Sequence, residues 1–112
     1  MQYLDGTERY SEPGKPQQSG RWRDESAGVT PFYQIPYRSL VPQDAENVLV
    51  AGRLIGADKG AFGAIRVMMN CNQTGEAAGI AAWEALTSNQ TVAGVDAGRI
   101  RQTMAGGGSI MI

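Results

Sequence analysis

The stretch Gln73-Thr-Gly-Glu-Ala-Ala-Gly-Ile-Ala-Ala-Trp-Glu-Ala-Leu-Thr87 decides the fold class of this chain. Its apolar residues recur at helical spacing, which predicts a helix over residues 73–87; they are Ala77, Ile80, Trp83 and Leu86. Just before it, polar side chains can accept hydrogen bonds from the free amides of a first turn; these are Asn70, Asn72 and Thr74. We therefore expect a helix that begins close to residue 73 and ends at Asn89-Gln90-Thr91.

Small residues line one face of this predicted helix. Gly75, Ala78, Gly79 and Ala82 are spaced by three, one and three positions, which places them on the same face. A glycine inside a helix costs about 1 kcal/mol relative to alanine. Two explanations stay open at this point: tight packing of the helix on a strand in an α/β layer, or close approach of another backbone or a flat ligand.

The segments upstream of this helix alternate between apolar runs and glycine-rich stretches. Val48–Gly52 is a short continuous apolar run after a turn at 42–47, which predicts a strand buried on both faces. Residues 32–41 predict an edge strand or extended segment, because Pro36 lacks the amide that a central strand needs. Residues 53–64 read as a loop, and residues 65–69 fit either a short strand or the approach to the helix.

The two ends of the chain differ in composition. Residues 5–31 are rich in glycine, proline, serine and charge, so we expect loop or irregular extended chain. Trp22 within this segment either anchors it to the core or belongs to an interface with chain that is absent. Near the other end, Asp96 is the expected cap of a second helix over 96–104, with Ile100 and Met104 on one face and glycines at 106–108 ending it.

Composition excludes several classes of function. Ten basic and eleven acidic residues give a net charge of −1 with no basic stripe, so binding to nucleic acid is not expected. Apolar runs are too short to span a bilayer, and we expect no secretory signal and a cytoplasmic location. One cysteine and no histidine exclude an internal disulfide, Cys/His zinc sites and a Ser-His-Asp triad within this chain. We expect no metal site.

The glycine pattern also limits nucleotide binding. Glycines at 52, 56, 60 and 63 are spaced by four, four and three, so the sequence contains neither a Gly-x-Gly-x-x-Gly fingerprint nor a P-loop. The usual element for holding a pyrophosphate is missing. The N-terminus of the predicted helix, however, presents free N–H groups and a partial positive charge, which suit a phosphate or the electron-rich edge of a flavin ring.

Four further side chains have two interpretations each. Arg38, Arg53 and Arg66 lie beside apolar segments, where arginine pairs either with a carboxylate of the protein or with an anionic ligand. Cys71 lies near the expected helix start, where a thiol is either activated or simply buried. The sequence leaves each pair of alternatives open.

An ordered set of motifs points to one family. The motifs are IPYRSLVP at 35–42, NVLVAGR at 47–53, GAIRVM at 63–68 with Cys71, and GEAAG at 75–79. In this order and spacing they resemble the C-terminal end of the FAD-dependent oxidoreductase family that includes proteins described as xanthan lyases. The resemblance covers about residues 32–104.

The resemblance implies a fold, a cofactor and a set of site residues. It implies an α/β fold in which residues 32–112 form the C-terminal part of a Rossmann-like FAD-binding domain, with one to three short strands and two helices. Residues 1–31 would be an irregular remnant of a substrate domain. The cofactor would be FAD, and Tyr37 or Arg38 would face the substrate as catalytic candidates. The implied cofactor-binding residues are Gly52, Arg53, Arg66, Gln73, Thr74, Gly75, Ala78 and Gly79.

Two hypotheses about function follow. In the first, the chain is a flavin-contacting C-terminal fragment, inactive alone, of an enzyme that transfers hydride or electrons between a small organic substrate and FAD. Its partner would be the missing N-terminal FAD-binding half, or a second copy joined by self-association. In the alternative, the chain is a non-catalytic interaction module or truncated remnant that no longer binds FAD alone. The missing fingerprint, Trp22, and Lys59 where family members commonly have histidine favour that alternative.

Overall fold

The structure is a computed structural model that describes residues 7–21 and 32–111. The prediction for Trp22 falls outside these ranges. The chain divides into two compact units, Met1–Tyr33 and Gln34–Ile112. Each unit is described below by itself.

The first unit contains a β-hairpin. Strand β1 (Thr7–Tyr10) pairs antiparallel with strand β2 (Gln18–Arg21), with Thr7 opposite Arg21 and Tyr10 opposite Gln18. The connection turns at Gly14, whose φ of 79° lies in the left-handed region that favours glycine. The expectation of irregular chain was wrong over these two strands, because backbone pairing across the turn orders a polar sequence that has no apolar periodicity of its own.

The second unit is helical. Helix α1 spans Lys59–Ile65, helix α2 spans Met68–Thr87 and helix α3 spans Ala97–Gly106. Three 3₁₀ turns precede or separate them, at Tyr37–Leu40, Gly52–Leu54 and Val92–Gly94. With the hairpin, these elements make a mixed α and β chain, so the α/β fold class is confirmed, with α1 as a helix beyond the two predicted.

Helix α2 begins five residues before its predicted start. Val67 is its N-cap residue, in an extended conformation, and the Val67 side chain makes no capping hydrogen bond. Asn70 instead donates from Nδ2 to the Ala64 carbonyl at 2.8 Å, and the Thr74 hydroxyl donates to the Asn70 carbonyl at 2.8 Å. Capping by Asn70, Asn72 or Thr74 was therefore wrong, while the predicted end of the helix at residue 87 is confirmed.

The loop expected over 53–64 also differs from the structure. Asp58 is the N-cap of α1, and its carboxylate accepts a hydrogen bond from the Ala61 amide at 2.8 Å. This cap stabilises a helical turn by about 1 kcal/mol, comparable with the cost of one helical glycine. Residues 60 and 63 therefore lie in a helix despite being glycines.

The two predicted extended segments are only partly extended. Residues 48–51 find no sheet partner in the described part of the chain, and Val50 is half-buried; its amide donates to the Leu40 carbonyl at 2.8 Å. The prediction of a strand buried on both faces was therefore wrong here. Residues 37–40 form a 3₁₀ turn because Pro36, at φ −69°, is its N-cap.

The prediction for α3 is confirmed. The Asp96 carboxylate accepts from the Gly98 amide at 2.7 Å, and Gly107 is the C-cap. Ile100 and Met104 are both buried, on the face turned to α2.

Two groups of buried side chains pack on α2. The first consists of Ala81, Ala85, Val92, Val95, Ile100 and Met104. The second consists of Leu40, Ile55 and Ile65. Ala77 of α2 packs against both, so this helix joins the two halves of the core. A buried carboxylate, Glu84, adds an ion pair from α2 to Arg99 of α3, with Nη2 and Oε2 3.0 Å apart.

Candidate functional site

The candidate site lies where the Gly52 turn meets the first turns of α2. Gly52 has a φ of 60°, so its backbone is in the left-handed region. A Cβ at this position would lie 3.6 Å from Cys71 Cβ, which is an ordinary contact. Backbone conformation rather than lack of space is therefore the reason for a glycine here.

The Thr74 hydroxyl holds this turn against the helix. It accepts a hydrogen bond from the Gly52 amide at 3.0 Å and donates to the Asn70 carbonyl at 2.8 Å. The Thr74 side chain is buried. Two of the predicted cofactor-binding residues, 22 positions apart in sequence, are thus in direct contact.

A shallow depression lies beside this contact. It is lined by Arg53, Met68, Cys71 and Asn72. Arg53 Nε lies 3.5 Å from the Arg66 carbonyl, to which it donates. The structure therefore brings Arg53 and the backbone of Arg66 together, as two further predicted residues. The Cys71 thiol is half-buried, with Sγ 3.5 Å from the same carbonyl.

The small residues of α2 divide between two environments. Ala78 is half-buried against the second core group. Gly75 and Gly79 are exposed, and apart from the adjacent residues and the backbone of α2 itself, no atom of the described chain lies within 4 Å of a Cβ built at either. Tight packing among the described residues therefore does not account for the two glycines.

The free amides of α2 are not where the sequence placed them. The helix begins at Met68, so the amides of Met68 and Met69 lie in its first turn, where the helix itself supplies no carbonyl partner. The Cys71 amide already donates to the Val67 carbonyl at 3.0 Å. Residues 73–75 lie inside the helix, so the expectation that their amides form its N-terminus was wrong.

Two residues of the site were missed in the sequence. Met68 and Asn72 line the depression, and both are exposed. Met68 and Asn72 are four residues apart, and Gly75 and Gly79 follow Asn72 by three and seven residues. These spacings place all four residues on one face of the helix. That periodicity is the signal that identifies them once the helix is known to start at 68.

Tyr37 and Arg38 have different surroundings. The Tyr37 hydroxyl donates to the Val92 carbonyl at 2.6 Å, and its ring packs against the first core group. Burial raises the pKa of the Tyr37 hydroxyl above its ordinary value. Arg38 is exposed. Their proposed role towards a substrate stays a prediction.

A family comparison identifies the class to which this chain belongs. Residues 8–104 match the family model described as FAD dependent oxidoreductase. Because this match covers most of the sequence, the chain belongs to the FAD dependent oxidoreductase family, and the resemblance drawn from residues 32–104 is confirmed. Membership implies an oxidoreductase-type protein that uses FAD in its full form.

Two other observations complete the comparison. No curated protein and no solved structure gives a match. Within residues 7–21 and 32–111, no helix has the length and apolar character needed to cross a membrane.

Proposed function

We propose that this chain is the flavin-contacting C-terminal part of an FAD-dependent oxidoreductase, and that the open side of α2 receives the isoalloxazine ring. One observation carries this proposal: Gly75 and Gly79 leave open space on the face of α2 that also contains Met68 and Asn72, which line the depression. A flat ring requires such a surface, because any β-carbon there would hold it away from the helix. The residues present therefore fit the group.

The polar groups at this end of α2 have a consistent electrostatic role. The amides of Met68 and Met69 and the partial positive charge of the helix N-terminus would stabilise the negative charge that develops at the ring edge on reduction. Arg53 adds a full positive charge at the neighbouring depression. These groups replace the amides of residues 73–75 as the proposed hydrogen-bond donors to the ring. Arg66 contributes its backbone carbonyl, which accepts a hydrogen bond from Arg53.

In the full protein, bound FAD would accept hydride or electrons from a small organic substrate. We propose that Tyr37 or Arg38 faces that substrate, and that this chain alone is inactive. A separate phosphate-binding half would hold the pyrophosphate, since this sequence lacks the fingerprint. The reduced Cys71 thiol is compatible with the cytoplasmic location that we propose.

The experiment uses two ligands that share the ring. If the chain contacts only the isoalloxazine, then lumiflavin and FAD should bind with similar, weak affinity, on the order of 1 mM. Flavin fluorescence titration measures both. Gly79→Leu should weaken binding at least about tenfold by filling the open space.

A matched control exists in α1. Gly63 is also exposed and helical, with no atom of the described residues within 4 Å of a built Cβ. Gly63→Leu should leave ring binding unchanged. Absence of lumiflavin binding by the wild type, or equal binding by Gly79→Leu, would contradict the proposal.

The second candidate function is a non-catalytic interaction module. Exposed apolar side chains on α2 favour it: Met68, Trp83 and Leu86 are 77%, 58% and 82% exposed. Exposed apolar surface of this kind is commonly covered by a partner protein. Concentration-dependent association by analytical ultracentrifugation, with no flavin binding by the same sample, would select this alternative.

A further inference from the structure

The Thr74 hydroxyl has both of its hydrogen-bonding functions in use. It accepts from the Gly52 amide at 3.0 Å and donates to a carbonyl of the preceding turn, Asn70 at 2.8 Å or Cys71 at 3.2 Å. Only 6% of the residue is exposed. A buried hydroxyl with these partners is not directed at a ligand outside the chain.

A second threonine in the same helix shows what is special about the first. The Thr87 hydroxyl makes the same kind of backbone contact, to the Trp83 carbonyl at 2.9 Å and the Glu84 carbonyl at 3.2 Å. Thr87 is exposed, and within the described chain its hydroxyl bonds only to these two carbonyls of its own helix. Contact with a carbonyl of the preceding turn is therefore common to both threonines, and acceptance from a distant backbone amide distinguishes Thr74.

The amide that Thr74 binds belongs to the residue that sets the direction of the loop. Gly52 has a left-handed backbone, and the next residue is Arg53, which lines the depression beside the first turn of α2. A change in the φ and ψ angles of Gly52 would move the side chain of the next residue, Arg53. The contact between Thr74 and Gly52 thus determines where this positive charge lies relative to the free amides of α2.

We infer that Thr74 is a positioning residue: its hydroxyl fixes the Gly52 turn to α2 and thereby places Arg53 at the depression, without touching the cofactor. This replaces the direct cofactor contact implied for Thr74 by family resemblance. The assignment of the depression to flavin rests on the proposed function. The positioning of Gly52 by Thr74 rests on the hydrogen bonds alone.

The test compares three substitutions in the 112-residue chain. Thr74→Val removes the hydroxyl with little change of shape, Thr74→Ser retains it, and Thr87→Val removes the hydroxyl that has no loop partner. Amide hydrogen exchange of Gly52 by NMR should accelerate about tenfold in Thr74→Val relative to the wild type, as expected for loss of one net hydrogen bond. Exchange should stay within about threefold of wild type in the other two variants.

Lumiflavin binding provides the second measurement. Thr74→Val should weaken it about tenfold, Thr74→Ser should restore it, and Thr87→Val should not change it. If Thr74→Val does not fold, Thr74→Ala takes its place in both measurements. Global unfolding measured in urea on each variant separates a local change at Gly52 from general destabilisation.

The two proposals can fail separately. A wild-type chain that binds no lumiflavin contradicts the flavin site, while the Gly52 exchange rates still decide the role of Thr74. Unchanged Gly52 exchange in Thr74→Val, equal acceleration in Thr87→Val, or no recovery in Thr74→Ser would each overturn the positioning role.

Discussion

The two sides of α2 differ in what covers them. One side is packed inside the chain, with Ala81 fully buried and Glu84 paired to Arg99. The other side is exposed, although it contains two glycines and the apolar Trp83 and Leu86. A helix that is apolar all round is typical of a protein interior. Helix α2 therefore has one packed surface and one exposed surface that contains apolar residues, and substitutions on the two should have different effects.

The largest effect is expected on the packed side. Ala81→Glu would place a carboxylate where the side chain has no exposure, so we expect it to destabilise the chain by about 3 kcal/mol or more. Gly79→Glu makes a similar change on the open side and should alter the unfolding free energy by less than about 1 kcal/mol. Urea unfolding of both variants measures the difference, and equal destabilisation would show that the open side is packed in solution.

A medium effect is expected at the edge of the packed side. Tyr37→Phe removes the hydrogen bond to the Val92 carbonyl and should cost about 1 kcal/mol at neutral pH. Because burial raises the folded-state pKa of Tyr37, the neutral hydroxyl stabilises the folded form below the ordinary value of 10.0, and this contribution is lost as pH rises through the folded-state pKa.

The wild type should therefore lose more stability than Tyr37→Phe between pH 9 and pH 11, a window chosen around that ordinary value of 10.0. Urea unfolding at several pH values checks this. Parallel pH profiles for the two proteins would place the Tyr37 hydroxyl in solvent.

The smallest effect on stability is expected on the open side, and it has the opposite sign. Gly79→Ala should stabilise the isolated chain by up to about 1 kcal/mol, because it improves helix propensity where the added methyl has free space. The same change should weaken lumiflavin binding. Thermal unfolding measures the gain in stability, and fluorescence titration measures the loss of affinity. A variant that gains stability and keeps its affinity for lumiflavin would show that the ring does not bind against Gly79.

Sequence predicted the elements that depend on local signals. The end of α2, the Asp96 cap of α3 and the placement of Ile100 and Met104 on one face of α3 all follow from residues close to one another in the chain. The start of α2 could not be predicted in this way, because its N-cap residue is Val67, whose side chain makes no capping hydrogen bond, and because Asn70 donates to the Ala64 carbonyl.

Long-range contacts account for the rest of what the sequence missed. Residues 48–51 have the composition of a strand, yet a strand also requires a pairing partner, and the described residues supply none. At the site, the sequence identified Gly52 and Thr74 separately, but their hydrogen bond across 22 positions is visible only in the structure.

An NMR titration of the chain with lumiflavin tests directly whether the open side of α2 receives the flavin ring. Ring binding on the open side predicts the largest amide shift changes at residues 68–79 of α2 and at Gly52–Arg53, with α3 unaffected. Absence of shift changes at millimolar lumiflavin, or changes confined to α3 or the hairpin, would contradict the account.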